Sequence, residues 1–192
     1  MLNKYEEKML EEVKRILGGD QKAFTYWDEE KENCIDVLFC KDSPAKGYLT
    51  ASTLGLINYD IGYSNADKSI RMEMLMVNYG GNDLIGRILC TAAFGVMISH
   101  YACGYGTVFE NILEGYLPES AMKHLVFIVP PPFWAEEFKV IEEDDRMITW
   151  LLALPISEAE RQYLNEHGID VLQDMFVKEN IDAFDLNRKS VL

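Results

Sequence analysis

The sequence predicts an α+β fold: a mixed, largely antiparallel sheet of six or seven strands, packed by an N-terminal helix, a buried central helix and a C-terminal helix pair. Three observations predict it. Apolar residues recur at helical spacing over residues 2–17 and 84–101. Between and beyond these stretches lie short apolar runs bounded by turn residues, the pattern of strands. Finally, residues 150–176, WLLALPISEAERQYLNEHGIDVLQDMF, pass from an uncharged apolar run through a proline into two short helical patterns. At 192 residues the chain is expected to form a single domain, 1–192, able to bury a substantial core.

The N-terminal helix is expected over residues 2–17, where Leu2, Tyr5, Met9, Leu10, Val13, Ile16 and Leu17 make one stripe and Lys and Glu occupy the other side. Gly18-Gly19-Asp20 ends it. Such a stripe serves a membrane or a partner in some proteins, but packing on the protein's own sheet is the reading adopted. Strands are expected at Ala23–Trp27 and Ile35–Cys40, separated by the charged turn Asp28–Asn33, and at Tyr48–Ser52 after the turn Asp42-Ser43-Pro44. Residues 53–69 are rich in Gly, Asn, Ser and Asp and read as an irregular loop. The strand Ile70–Tyr79 places Met72, Met74 and Met76 on one face, and Arg71, Glu73, Leu75 and Val77 on the other. A methionine row can form an adaptable binding surface, but core filling is the reading adopted.

Gly80-Gly81-Asn82-Asp83 is expected to cap a helix running to about Tyr101 that is apolar almost all round. Its uncharged run from Ile88 to Ile98 is too short to span a bilayer, which needs about 20 residues, so it reads as a buried helix. A strand at Leu125–Val129 runs into Pro130-Pro131-Pro132-Phe133-Trp134, read as a rigid connector whose two aromatics anchor in the core. Phe138–Ile141 and Arg146–Leu154 then flank Glu142-Glu143-Asp144-Asp145, the expected tip of a hairpin. Pro155 is expected to stop the last strand. Ser157 and Glu160 have capping-box spacing, and Gly168 suits the left-handed residue that closes a helix. Ile169, Leu172, Met175 and Phe176 mark the second helix.

Composition narrows the function. With 32 acids against 18 bases the net charge is −14, which repels nucleic acid and anionic membranes and is compatible with a basic protein partner. The same charge also serves plain solubility. The four cysteines form no C-x-x-C pair; Cys34, Cys40 and Cys90 read as buried free thiols, and all four are expected to be reduced. The first residues hold no apolar signal region, so a cytoplasmic location is expected.

The motifs of catalysis are missing. His100, His124 and His167 lie in different elements and form no H-x-x-x-H pair. There is no G-x-S-x-G, and the glycines before the central helix lack the lysine or the G-x-G-x-x-G of a nucleotide site. His100 and Cys103 are three apart, but an expected buried helix end admits substrate poorly. No cofactor, no metal and no catalytic residue is therefore expected, and the chain reads as a binding protein and not an enzyme.

The order of several blocks goes further. A core strand followed by Leu-Pro-Ile-Ser, Glu, His-Gly-Ile-Asp-x-Leu and Phe resembles the C-terminal signature of the suppressor-of-fused family. The tail Asp182–Val191 resembles that family's closing segment, and Tyr48–Leu56 and Ile70–Leu75 are similar to its central blocks. The resemblance covers most of the chain from about Ile35 onward. Animal relatives are binding proteins that restrain a partner, and compact bacterial relatives are frequently immunity proteins encoded with a toxin. The resemblance therefore implies a bacterial immunity protein or antitoxin, monomeric when free, that occludes the active site of a cognate, basic, nuclease-type toxin. The alternatives are a regulatory scaffold for an endogenous partner and an enzyme of unrecognised type. The expected contact residues are the acidic Glu136, Glu137, Glu142, Glu143, Asp144 and Asp145, with Arg71 and Glu73 on the long strand as a second surface.

Overall fold

The computed structural model describes residues 4–81, 83–131, 134 and 137–192. Helix α1 (Lys4–Leu17) buries Met9, Val13 and Leu17; Leu2, expected to begin the same stripe, lies outside the described residues. Strands β1 (Asp20–Trp27), β2 (Cys34–Lys41) and β3 (Tyr48–Leu54) form an antiparallel meander. A 3-10 turn (Leu56–Asn58), the short β4 (Ser64–Asn65) and the long β5 (Lys68–Tyr79) follow. Helix α2 (Leu84–Met97) leads to β6 (Val108–Phe109), β7 (Met122–Ile128), β8 (Ile141–Glu142) and β9 (Arg146–Ser157). Helices α3 (Glu158–His167) and α4 (Ile169–Lys178) precede an extended tail.

The strands make one sheet in the order β1-β2-β3-β5-β9-β7-β6, with β4 beside β5 and β8 beside β9. Every pairing is antiparallel except β5 with β9, which run parallel from Ser69↔Arg146 to Leu75↔Leu152. The class is therefore the expected mixed α+β sheet with a helix layer on each side. Alternation along the central strands sends side chains to two separate cores. Met72, Met74, Met76, Leu151 and Ala153 join Ile85, Ile88 and Leu89 of α2 in one core. Leu75, Val77, Leu152 and Leu154 join Met9 and Val13 of α1, Leu164 of α3, and Leu172 and Phe176 of α4 in the other. The methionine row is thus core. Trp134 is buried as expected, whereas Phe133 lies outside the described residues.

Helix α2 comes unusually close to the sheet. A methyl group on Gly86 would sit 2.2 Å from Cζ of the buried Phe39, so only glycine allows this approach. The helix ends at Met97, earlier than Tyr101, because His100 adopts φ 55 and breaks the helical path. Asp83 precedes the helix without a side-chain capping bond, and Asn82 lies outside the described residues.

Pro155 does not stop β9, which continues to Ser157 with Pro155 opposite Leu125 on β7. The Pro155 carbonyl accepts from Arg188 Nη2 at 2.9 Å, away from the β7 ladder. In a strand, N–H and C=O of one residue point to the same edge, so the missing donor faces Arg188 and no ladder bond is lost. Cys34 corrects a second expectation: at the start of β2 it is exposed, whereas Cys40, Cys90 and Cys103 are buried. All four thiols are free.

The Ser157/Glu160 capping box is present. The Ser157 hydroxyl accepts from Glu160 N at 3.1 Å, and Glu160 Oε2 accepts from Ser157 N at 3.0 Å. Gly168 closes α3 at φ 89. The same buried Glu160 carboxylate also holds the tail, accepting from Arg188 Nη1 at 2.6 Å, Arg188 Nη2 at 2.7 Å and Val191 N at 3.0 Å.

Two outcomes follow from these contacts. Arg188→Met leaves a buried carboxylate without its cation and is expected to lower unfolding free energy by about 3–5 kcal/mol, read from the denaturant midpoint. A midpoint unchanged from the parent would remove the tail from the core. Gly86→Ala gains about 1 kcal/mol of helix propensity, but overpacking against Phe39 costs about 1–3 kcal/mol, so a net loss is expected. Pairing it with Phe39→Leu should recover part of that loss.

Candidate partner-binding surface

The acidic hairpin forms, but its first strand is only Ile141–Glu142 and not the expected Phe138–Ile141, so Glu142 lies in the strand and not at the tip. β8 pairs with β9 through Ile141↔Ile148 and Glu142↔Met147, and Glu143 N donates to Arg146 O at 2.9 Å, closing the tip. Its position was not legible in advance: it lies along α1, and cations from elsewhere meet its carboxylates. Lys8 reaches Glu143 at 2.5 Å, Lys68 reaches Glu142 at 3.4 Å, and Arg15 bridges Glu137 at 2.9 Å and Glu12 at 3.0 Å. Asp145 binds the neighbouring Arg146, whose guanidinium lies 4.8 Å from the Tyr5 ring centroid and holds the Asp145 carboxyl below its ordinary range. Asp144, at the tip, has no ion-pair partner among the described residues. Glu136 lies outside the described residues. The hairpin's negative charge is thus largely matched within the molecule.

Arg71 and Glu73 share a strand face but not a surface. Arg71 is partly buried and bonds Asp60 at 3.2 Å. Glu73 is fully buried, which corrects the expectation that it faces a partner. Its carboxylate accepts from Thr53 Oγ1 at 2.6 Å and from the backbone N–H groups of Gly55 (2.7 Å), Leu56 (3.3 Å) and Ile57 (3.4 Å). These are the unpaired donors at the start of the 3-10 turn. Glu73 therefore orders the first part of the stretch expected to be an irregular loop, and β4 with the start of β5 corrects that expectation farther on.

A different surface joins carboxylates to exposed aromatics. On the α2 side of β1, a cleft of about 460 Å³ is lined by Tyr26, Trp27, Asp28, Glu29, Phe94 and Tyr116, with Arg87 and Thr91 of α2 at its side. Arg87 lies 5.9 Å from the Tyr116 ring centroid, and Tyr116 Oη meets Thr91 Oγ1 at 2.6 Å. Asp28 is fixed by its own turn: it accepts from Asn33 Nδ2 at 2.7 Å and Glu32 N at 2.9 Å, and these donors hold its carboxyl below the usual range. The arrangement offers aromatic walls beside two carboxylates and one cation, Arg87, a net negative cleft that suits the stem and tip of an arginine or lysine. Aromatic residues on both faces of β1 were the available signal, but in sequence such a strand looks like an interior one.

One histidine and three of the cysteines are held or buried, whereas Cys34 and His100 are exposed. His124 Nδ1 accepts from Asn111 N at 2.9 Å, and its Nε2 meets Glu158 Oε2 at 2.9 Å. Burial pushes the Cys40 and Cys90 thiols up to about 12 and raises Cys103 as well. Among the described residues, no group of three His, Cys, Asp or Glu side chains is placed to hold a metal ion, and no helix is long and apolar enough to cross a membrane.

The family model described as Suppressor of fused protein (SUFU) matches residues 31–189. The "Immunity protein YqcF" of Bacillus subtilis (strain 168) is 39% identical over 175 residues, covering 91% of each chain. Among solved structures, a SUFU homologue from Neisseria gonorrhoeae FA 1090 superposes with a TM-score of 0.77 at 20% identity, covering 98% of this chain and 97% of that one. A chain of the Sufu-Fu complex gives 0.67 at 8% identity over 96% of this chain and 91% of that one. Drosophila Suppressor of Fused gives 0.56 at 8% identity, covering 92% of this chain but 44% of that one.

One pH effect follows from Glu73. Burial, opposed by its four donors, raises its carboxyl from 4.5 to about 7. The folded state then holds the proton more tightly than the unfolded chain, so this group's stabilisation is full below about 4.5 and lost as pH rises through about 7. Melting temperatures taken from pH 5 to pH 8 are expected to show this fall, and Glu73→Gln to flatten it. Identical slopes in parent and variant would assign the linked proton to another group.

Proposed function

The chain belongs to the suppressor of fused family, and on that premise we propose that it is an immunity protein, a non-catalytic binding protein that neutralises a cognate protein toxin. The observation that carries the reading is the 39% identity to an immunity protein over 91% of both chains, a likeness that spans the fold and not a fragment of it. The net charge of −14 supports a basic partner, and a nuclease-type toxin, built to hold phosphates, is basic at its active site. Neutralisation then proceeds by occlusion, with carboxylates of this chain occupying the place of substrate phosphates. In such an interface complementary charge speeds encounter, while desolvated aromatic anchors supply most of the affinity. The cleft around Tyr26 and Trp27 offers the anchors, and the hairpin tip around Asp144 contributes to the approach. The protein is cytoplasmic and is monomeric when free of its partner.

The test is co-expression with a toxin-like reading frame adjacent to the gene, followed by association kinetics at two ionic strengths. The parent is expected to protect cells. Glu143→Lys combined with Asp144→Lys is expected to slow association about threefold or more at low salt and to flatten its salt dependence. Loss of the half-exposed Lys8 pair costs at most about 1 kcal/mol, so the fold survives. Parental rates in the doubly reversed variant would remove the hairpin from the encounter. Cells left unprotected by the parent would sink the immunity reading in favour of a regulatory scaffold.

A further inference from the structure

β1 ends the sheet. All eight residues, from Asp20 to Trp27, pair with β2 on one side, and among the described residues no strand pairs with the other side. At about 3.3 Å per residue this edge is about 26 Å long. Exposed edges normally carry prolines, bulges or several charges that discourage further pairing. β1 has no proline, pairs with β2 without a register shift and carries two charges, Asp20 and Lys22, both near its start, leaving Ala23–Trp27 uncharged. It also exposes large apolar side chains, with Phe24 at 53% and Trp27 at 56% of full accessibility.

Two clefts flank this edge on the α2 side. Besides the one around Tyr26 and Trp27, a cleft of about 230 Å³ lies between Phe24 and Phe39, with Asp20, Asp83, Lys22 and Lys41 among its walls, so the excess of negative charge lies at the Asp28–Asn33 end of the edge. Lys22, Phe24 and Tyr26 alternate along the strand, so they share one face, and Tyr26 lines both clefts. A strand laid beside β1 would direct every second side chain toward the same face. Main-chain bonding with side-chain sockets at alternate positions is the physics of strand addition.

We propose that the outer edge of β1 receives an extended, cationic segment of the partner protein, which adds a strand to the sheet and places alternate side chains in the two clefts. This rests on the immunity reading for the partner's identity, and it names the contact. The choice of a cationic occupant follows from charge. Between Asp20 and Asp42 seven acids accompany three lysines, and four of those acids lie in the turn Asp28–Asn33 at one end of the edge. A second copy of this chain, paired antiparallel through its own β1, would bring that acidic turn against Asp20 of its partner. Like charges disfavour that assembly, and opposite charges favour a basic strand.

The experiment uses the intact protein and an eight-residue peptide alternating arginine and valine, set against a charge-matched peptide in which proline replaces each valine. The alternating peptide is expected to bind at least tenfold more tightly and to slow hydrogen exchange of β1 amides. Phe24→Lys combined with Trp27→Lys is expected to weaken it at least tenfold, whereas Val177→Lys, 80% exposed, adds the same kind of charge elsewhere without effect. Equal binding of the two peptides, or unchanged exchange in β1, overturns the inference. Slowed β1 exchange on concentrating the protein alone overturns the choice of a basic partner in favour of a second copy. In co-expression with the adjacent toxin, full protection by the Phe24→Lys, Trp27→Lys variant would remove the edge while leaving immunity in place. Peptide addition at β1 without protection by the parent would do the reverse.

Discussion

The Glu160 carboxylate is the point at which three parts of the molecule are joined. Its oxygens accept from the backbone of Ser157 where β9 ends, from both terminal nitrogens of Arg188, and from the backbone of Val191. A buried carboxylate is costly unless nearly every lone pair is used, and here four donors use them. Strand exit, helix start and tail are therefore mutually dependent: α3 begins where Glu160 can be satisfied, and the tail crosses where Arg188 can satisfy it. The Arg188 guanidinium also lies 4.9 Å from the Phe176 ring centroid, which ties α4 to the same point. Glu73 repeats the device without a counter-ion, using four neutral donors to hold the 3-10 turn against β5.

Around these pins the sheet is covered on both faces, by α2 on one side and by α1, α3 and α4 on the other. The coverage decides where a partner can act. The middles of the central strands β5 and β9 are buried on both faces, and the hairpin tip is drawn onto α1 by Lys8. What the layers leave uncovered is the β1 margin, where the aromatics that would be core in a longer sheet stand beside carboxylates.

Local chemistry was legible in the sequence where both partners lie within a few residues. The Ser157/Glu160 box, the turn at Gly168, the methionine row and the β8–β9 hairpin all rest on such spacing. The suppressor-of-fused resemblance, carried by blocks such as Leu154-Pro155-Ile156-Ser157, reached the family and class that the comparisons and the sheet show. What escaped depends on distant partners. Pro155 is tolerated because Arg188, 33 residues on, sits at the edge its missing donor faces. Glu73 looks like a surface acid until the backbone of residues 55–57 folds over it. Cys34 looks buried because its neighbours are apolar, but it starts its strand opposite the exposed Trp27. The hairpin's acids were visible, whereas their pairing to Lys8, 135 residues away, was not.

The parallel pairing of β5 with β9 has a kinetic consequence. Ser69 meets Arg146, so closing this seam joins segments 77 positions apart in the chain, and the entropy of that closure precedes any reward from the contacts. The meander of β1, β2 and β3 needs only short turns, as does the β8–β9 hairpin. Short-range pairing costs less closure entropy than this seam, so the two flanks are expected to form before the middle of the sheet. If the chain is the immunity protein proposed above, slow closure of that central seam would delay the moment at which newly made protein can bind its target.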